Sequence, residues 1–169
     1  MNIFMTTGTI DFMEKIKEKH SDEPIILMNG GGHTLLLHET NGKSVFQTPR
    51  KYEIAGSVGV LAENGYFAMN NIAVTDEGKP IFEHQYKMMG ERLTDLPGFI
   101  AFRLLRPIGS DTYVVLTEWT EERLYKLWYE SPGYKLSNPN DFKDQGGATL
   151  HIFTSAPYTA TYKTPTEEL

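Results

Sequence analysis

The second half of the chain alternates between two hydrophobic periods, and this alternation restricts the possible fold more than any other feature. After the Asn-Gly pair at residues 64–65, strand patterns of period two and helix patterns of period 3.6 follow one another to about residue 162. The predicted order is strand, helix, strand, strand, helix, strand, with the last strand at about Thr149 to Tyr162. This order is the ferredoxin-like β-α-β-β-α-β arrangement.

The two helices predicted in this half each have a start signal and an apolar stripe. The first begins at about Pro80, since proline is tolerated in the first turn of a helix. The second begins at Glu121, and Thr120 before it is a candidate N-cap. Apolar residues recur at helical spacing in both: Phe82, Tyr86, Met89 and Leu93 in the first, and Leu124, Leu127 and Trp128 in the second. Both helices are therefore expected to cover a sheet.

The first half follows the same plan less regularly. Residues 2–8 are predicted to form a strand and Asp11–His20 a helix, in which Asp11 and Glu14 have the spacing of a capping box. The segment SVFQ indicates a further short strand. The spaced apolar residues of Tyr52–Leu61 predict a short helix.

Three consecutive glycines at residues 30–32 separate the segments PIILMN and HTLLLHE. Glycine supplies the positive φ that a tight hairpin turn needs, so the pattern predicts a β-hairpin. A phosphate-binding loop is the alternative, but such a loop would run into a helix and contain Lys-Ser or Lys-Thr. The hairpin is the better prediction.

Together the two halves predict an α+β protein in which a ferredoxin-like C-terminal half packs against a degraded ferredoxin-like N-terminal half. The predicted boundaries are 1–64 for the N-terminal half, 65–163 for the ferredoxin-like domain and 164–169 for a tail. If the halves fold alike, their sheets can meet in a pseudo-dimeric, barrel-like arrangement within one chain. A monomer is therefore expected.

Composition excludes several function classes. The chain has no cysteine, which rules out disulfides, iron–sulfur clusters and a cysteine nucleophile. Its formal net charge of -6 and the absence of a basic stripe argue against nucleic-acid binding. No apolar run approaches the ~20 residues needed to span a membrane. The N-terminal segment does not have the pattern of a signal peptide, so a cytoplasmic location is expected.

The sequence contains no G-x-S-x-G, no H-E-x-x-H and no complete G-x-x-x-x-G-K-[ST] motif, because Gly42-Lys43-Ser44 is preceded by Leu37 where that motif needs its first glycine. His33 and His38 lie five residues apart on a predicted strand, so their side chains are expected on opposite faces. We therefore predict surface histidines rather than a joint metal site. Spacing alone names no reaction.

Three stretches of the second half follow a known family pattern: FAMNNIAVTDEGKPIFEHQY, LPGFIAFRLLRP and DTYVVLTEWTEERLYKLWYESPGYK. They resemble the IsdG-like haem-degrading monooxygenases of the antibiotic biosynthesis monooxygenase superfamily, and in finer detail the HmoB type. In the first half, TTGTIDFMEKI, HETNGKSVFQTP and YEIAGSVG resemble the HmoB type and, more distantly, the staphylococcal TRAP family. The resemblance covers nearly the whole chain.

This resemblance implies haem as both substrate and cofactor, together with dioxygen and an external electron donor, either a reductase or a small reductant. The implied reaction opens the porphyrin and releases iron. Haem would bind in the C-terminal half.

Two residues of the chain match the family's functional positions. Asn70 has the same strand phase as the apolar Ile72 and Val74, and the family role of this asparagine is a hydrogen bond to the distal ligand of iron. Asn71 has the opposite phase and is the weaker candidate. Trp128 matches the helix tryptophan that presses on the macrocycle, and Trp119 matches a second, structural tryptophan. From the residues alone, a pocket-lining amide and a core indole remain alternatives.

The sequence departs from the family at two other cofactor positions. Ser137 and Asn138 stand where the family has its proximal histidine, and neither is a normal haem ligand. Met89 replaces a basic residue that faces the haem in the family. Candidate substitute ligands are Tyr134, His84 and His151.

These departures keep two further hypotheses open beside haem degradation. One is a non-catalytic regulatory or binding protein, like the TRAP relatives, on the same scaffold. The other is a cofactor-independent monooxygenase, in which Asn70 and Trp128 would position a planar phenolic substrate.

Overall fold

The structure is a computed structural model of the 169-residue chain, and it describes residues 1–131 and 154–165. These residues form eight strands and three α-helices. The elements are β1 (Asn2–Gly8), α1 (Ile10–Lys19), β2 (Ile25–Gly30), β3 (His33–Thr40), β4 (Arg50–Gly59), β5 (Tyr66–Ala73), α2 (Lys79–Glu91), β6 (Phe99–Ile108), β7 (Thr112–Trp119), α3 (Glu122–Tyr129) and β8 (Tyr158–Lys163). A short 3-10 turn, Asp76–Gly78, precedes α2.

The strands form one closed antiparallel barrel in the order β1-β3-β2-β8-β5-β7-β6-β4. The predicted β-α-β-β-α-β order is confirmed, since β5, α2, β6, β7, α3 and β8 follow one another in the second half. The two halves share the barrel through the β4–β6 and β2–β8 pairs. The predicted α+β class with barrel-like sheets is thus confirmed. In the parts of the chain described here, no helix is long and apolar enough to cross a membrane.

Side chains alternate between the inside and the outside of the barrel along each strand. They form one core inside the barrel and two outside it, one on each half. The interior core contains, for example, Met5, Leu35, Phe67 and Leu116. Helix α1 covers an outer core around Met13 and Leu36, and α2 and α3 cover the outer face of the second half. The barrel is therefore filled by side chains, and any pocket between sheet and helix lies outside it.

The helix predicted at Tyr52–Leu61 is wrong, because these residues belong mainly to β4. Tyr52 and Ile54 face the interior core, but a register shift between Ile54 and Gly56 interrupts the pairing with β6. Beyond the bulge, Val58 packs instead against the outer core under α2. The bulge changes the phase of the apolar residues, so their spacing imitates a helix.

Several smaller predictions also need correction. The segment SVFQ forms no strand; its Phe46 is buried in the outer core under α1. Helix α1 is capped by Thr9, whose side chain accepts a hydrogen bond from the Phe12 N–H, and not by the predicted Asp11. Helix α3 has Glu121 at its N-cap without a side-chain hydrogen bond, so Thr120 is not the cap. The predicted hairpin with a glycine turn is confirmed.

An ion-pair network fixes α2 on the barrel. Arg106 of β6 contacts both carboxylate oxygens of Glu83 on α2, at 2.9 Å from Nε and 2.6 Å from Nη2. The Tyr113 hydroxyl on β7 donates to the same carboxylate. The Arg106 guanidinium holds the pKa of Glu83 below its usual value. Such bidentate geometry orients the helix face on which Tyr86 and Met89 lie.

Candidate functional site

A small pocket lies on the outer face of β5, β7 and β8, under α2 and α3. Among its lining residues are three that the sequence singled out: Asn70, Met89 and Trp128. The remaining lining residues are Ala68, Tyr86, Val115, Thr117, Tyr125, Tyr129 and Thr159. The structure therefore brings the predicted strand amide and the predicted helix indole to one pocket.

Asn70 reaches the pocket because of its phase on β5. It stands between Val115 of β7 and Thr159 of β8 in the sheet register. The Thr159 hydroxyl donates to the Asn70 Oδ1 at 3.4 Å, so the Asn70 Nδ2 is the group that can donate to a bound molecule. Asn71 points to the other side, is buried, and donates from Nδ2 to the Met69 carbonyl at 3.2 Å.

Trp128 rests on a platform of aromatic side chains. Its ring stacks on that of Trp119, with centroids 5.3 Å apart and an interplanar angle of 28°. Trp119 is fully buried at the end of β7, and Tyr125 contacts both indoles. This packing holds the partly buried Trp128 ring against the pocket.

Within the described part of the chain, no histidine, lysine or arginine lines the pocket. Met89 is buried at the position where the resemblance implies a basic residue. His84 is exposed on α2 and does not line the pocket. The other predicted or substitute ligand positions, Tyr134, Ser137, Asn138 and His151, lie outside the described residues.

The pocket is small in the described part of the chain. Its cavity volume is about 20 Å³, which is room for a water molecule. Ligand sites for molecules the size of a cofactor usually measure roughly 300–1,000 Å³. The lining fits haem by its chemistry, since apolar and aromatic walls surround one amide donor. The cavity between the described residues is too small for haem.

The two strand histidines lie on opposite faces of β3, as the sequence predicts. His33 is exposed, and its Nε2 lies 3.1 Å from the Tyr162 hydroxyl. His38 is fully buried, with Nε2 3.0 Å from Glu23 Oε2, so the prediction of a surface histidine is wrong for this residue. Burial follows because His38 packs under α1 beside Phe46. No group of three potential metal ligands is found among the residues of known position.

Sequence reasoning missed a buried polar cluster at one end of the barrel interior. Arg103 of β6 donates from Nε to Glu39 Oε2 at 2.7 Å. Glu118 of β7 is fully buried, and its Oε1 accepts from the Ala62 N–H at 2.8 Å. Burial raises the pKa of Glu118 to about 8. The available signal was the phase of Arg103 and Glu118, which places charged residues on the inward face of apolar strands.

The candidate pocket lies in the part of the chain that matches a known family. Residues 65–137 match the family described as antibiotic biosynthesis monooxygenase. This match begins at the start of β5 and includes Asn70, Met89 and Trp128.

Known proteins similar over most of the chain have two kinds of description. A heme-degrading monooxygenase of Listeria monocytogenes is 24% identical over 130 residues, which are 77% of this chain and 78% of the relative. The signal transduction protein TRAP of Staphylococcus epidermidis is 23% identical over 144 residues, 85% of this chain and 84% of that one. The solved structure of a major regulator of staphylococcal pathogenesis has a TM-score of 0.84 at 19% identity, covering 98% of this chain and 100% of its own. The last likeness establishes a shared fold.

Proposed function

We propose, from the premise that residues 65–137 form an antibiotic biosynthesis monooxygenase domain, that the chain binds haem between β5, α2 and α3 and degrades it. One observation carries the proposal: Asn70 and Trp128 line the same apolar pocket. The similarity to a heme-degrading monooxygenase over most of the chain supports it.

Three residues of the pocket, Asn70, Met89 and Trp128, have specific roles in this proposal. The Asn70 amide nitrogen would donate a hydrogen bond to a molecule bound in the pocket, while the Asn70 amide oxygen accepts from the Thr159 hydroxyl. The Trp128 ring, which stacks on Trp119, would hold a bound macrocycle on one side. Met89 and the other apolar residues exclude water. Haem itself supplies the iron that activates dioxygen and the porphyrin that is oxidised.

Several finer properties belong to the same proposal. Dioxygen is the oxidant, and an external reductase or small reductant supplies electrons. The protein is a monomer, because strands from both halves already close the barrel within one chain. It acts in the cytoplasm. The chain divides into an N-terminal half, 1–64, a ferredoxin-like domain, 65–163, and a tail, 164–169.

Haem titration tests the proposal directly. We expect micromolar haem to produce a shifted Soret band, and ascorbate in air to bleach that band with release of iron. A protein that leaves the spectrum of micromolar haem unchanged would contradict the proposal.

Variants at the pocket make the test specific to this site. We expect Asn70→Ala to slow the loss of the Soret band by about tenfold, the worth of one charge-assisted hydrogen bond. Trp128→Phe keeps an aromatic ring on Trp119 but removes bulk, so it also slows the loss. Asn41→Ala, an exposed amide in the first half, is the matched control and keeps the wild-type rate. Equal rates in all three variants would place the reaction elsewhere.

A regulatory or binding function is the second candidate, and specific observations favour it. The pocket holds only about 20 Å³, and no histidine or cationic side chain of the described residues lines it. The similarity to the TRAP protein covers a larger share of the chain than the similarity to the heme-degrading relative. A cofactor-independent monooxygenase acting on a planar phenol is the remaining alternative, and it would give no Soret band.

A variant with histidine at position 138 distinguishes two explanations of weak haem binding: a missing iron ligand or a missing pocket. We expect Asn138→His to raise haem affinity by at least about tenfold, which corresponds to 1.4 kcal/mol. Asn140→His, two residues later, is the matched control for a histidine elsewhere in the same segment. Haem affinity is measured by Soret titration of both variants. No gain from Asn138→His, combined with no haem binding by the wild type, supports the regulatory function.

A further inference from the structure

A cavity of about 330 Å³ lies between α1 and the segment that joins β3 to β4. Its walls come from one strand, one helix and that segment, namely Thr6 on β1, Phe12, Lys15, Ile16, Lys19 and His20 on and next to α1, and residues 45–48. This volume is at the lower end of the range of ligand sites, roughly 300–1,000 Å³. A small molecule therefore fits here, in the half of the chain that does not contain the proposed haem pocket.

The apolar part of the wall comes from both sides of the cavity. Phe12 and Ile16, four residues apart, lie on one face of α1, and Val45 and Phe46 line the cavity from the connecting segment. Phe46 is buried in the outer core under α1, which anchors this wall. Phe12 is 60% exposed, so a ligand that covered its ring would remove apolar surface from water.

The polar part of the same wall is cationic. Lys15 and Lys19 lie one helical turn apart on the face that also carries Phe12 and Ile16. No aspartate or glutamate is among the described lining residues. The whole chain has a formal net charge of -6, so this local excess of positive charge differs from the average of the molecule.

Neither lysine has an ion-pair partner within residues 1–131 and 154–165. Lys17 on the same helix differs, because its Nζ lies 3.2 Å from Glu63 Oε1. A lysine in the last turn offsets the helix dipole, which accounts for Lys19 but not for Lys15, outside that turn. Like charges at i and i+4 repel each other, so an anion bound between the two lysines would relieve this repulsion.

Charge and volume together select the class of ligand. Apolar walls and two ammonium groups are complementary to a molecule with an apolar body and one negative end. A doubly charged phosphate is a poorer match, because phosphate sites use the N–H groups and the positive end of a helix N-terminus. Lys15 and Lys19 lie in the second half of α1, whose dipole opposes negative charge. A single carboxylate is therefore the better match.

We propose that this cavity binds a small monocarboxylate with an apolar body, such as a medium-chain fatty acid. The carboxylate lies between Lys15 and Lys19, and the alkyl chain packs against Phe12, Ile16 and Phe46. The site is independent of the proposed haem pocket, because no described residue lines both cavities.

Octanoate is the probe, and its binding to the full chain is measured by calorimetry and by the amide spectrum in NMR. We expect saturable binding with a dissociation constant of about 1 mM or lower, as is usual for a ligand of about ten non-hydrogen atoms. The amide signals of Ile16 and Phe46 should shift at saturation, and that of Asn70 should not. Absence of saturable binding, or shifts at Asn70 alone, would overturn the proposal.

Two related molecules test the two parts of the ligand. Hexanoate, which lacks two CH₂ groups, should bind roughly 15-fold more weakly, because each buried CH₂ is worth a factor of about four. Octylammonium has the same chain and the opposite charge, and we expect it not to bind. Equal binding of octanoate and octylammonium would contradict the assignment of the two lysines.

Charge-removing variants distinguish this cavity from general attraction of anions to the protein. We expect Lys15→Gln/Lys19→Gln to weaken octanoate binding by about tenfold. The matched control is Lys87→Gln/Arg92→Gln, which removes two positive charges from exposed positions on and just after α2 and should keep the wild-type affinity. Equal weakening by both double variants contradicts the proposal.

A third variant and a vesicle measurement test the apolar wall and the competing occupant. Phe12→Ala removes a largely exposed ring, so the protein should fold normally and bind octanoate about tenfold more weakly. An unchanged affinity would place the alkyl chain elsewhere and contradict the proposal. So would binding to phosphatidylglycerol vesicles without binding to octanoate, since it would make a lipid surface the partner of this face.

Discussion

Replacing Arg103 by methionine is expected to lower the free energy of unfolding by about 3–5 kcal/mol, the usual cost of removing one partner of a buried ion pair. The Arg103 side chain is 6% exposed inside the barrel. Its Nη1 donates to the carbonyls of Phe102, Gly59 and Val58 at 2.8, 2.9 and 3.2 Å, and its Nε donates to Glu39. Methionine fills similar volume but leaves all four acceptors without their donor.

Urea denaturation of three variants checks this expectation. Arg92→Met, an exposed position at the end of α2, is the matched control and should change stability by no more than about 0.5 kcal/mol. The double variant Arg103→Met/Glu39→Met should recover part of the loss, because it leaves no unpaired carboxylate. A loss below about 1 kcal/mol for Arg103→Met would mean that water replaces the guanidinium without penalty.

Glu118→Gln is expected to remove a decline in stability that the wild-type protein undergoes with rising pH. Burial raises the pKa of Glu118 from 4.5 to about 8, and the Ala62 N–H and the Arg103 charge oppose this shift only in part. The folded protein therefore binds one more proton than the unfolded chain between these values. Its contribution is fully present below pH 4.5 and is lost as the pH rises to about 8.

The size of the effect follows from the shift, at about 1.4 kcal/mol per pKa unit, so the decline amounts to several kcal/mol. Glutamine keeps an oxygen for the Ala62 N–H but does not ionise. At pH 9 the variant should therefore be more stable than the wild type. The measurement is the difference between the two stability curves from pH 4 to pH 9, with the exposed Glu91→Gln as control. Parallel curves would show that Glu118 is ionised already at neutral pH.

Strand alternation places Asn70 and Asn71 on opposite faces of β5, and the family resemblance selected the Asn70 face, which is the face that lines the pocket. The sequence also predicted the hairpin around residues 30–32, where the turn chemistry is local. Residues whose burial depends on distant elements were less predictable. His38 is buried only because α1 and Phe46 cover it, and neither relation is visible along the strand itself.

Strand β4 shows why a correct apolar pattern can indicate the wrong element. The bulge near Gly56 is stabilised by pairing with β6, almost fifty residues later in the chain. Pocket dimensions were equally inaccessible to sequence reasoning. They depend on how closely Trp128 and Tyr129 pack over the sheet, which is a property of the assembled aromatic cluster.

Strand β4 is also the only described strand of the first half with a full ladder to the second, and it pairs with β1 on its other side. A chain cleaved after residue 64 would lose covalent continuity while the β4–β6 ladder still joined its pieces. Neither piece alone could close the barrel, since each would have unpaired strand edges. The two halves therefore form a single cooperative unit, in which unfolding of one removes the strand with which the other pairs.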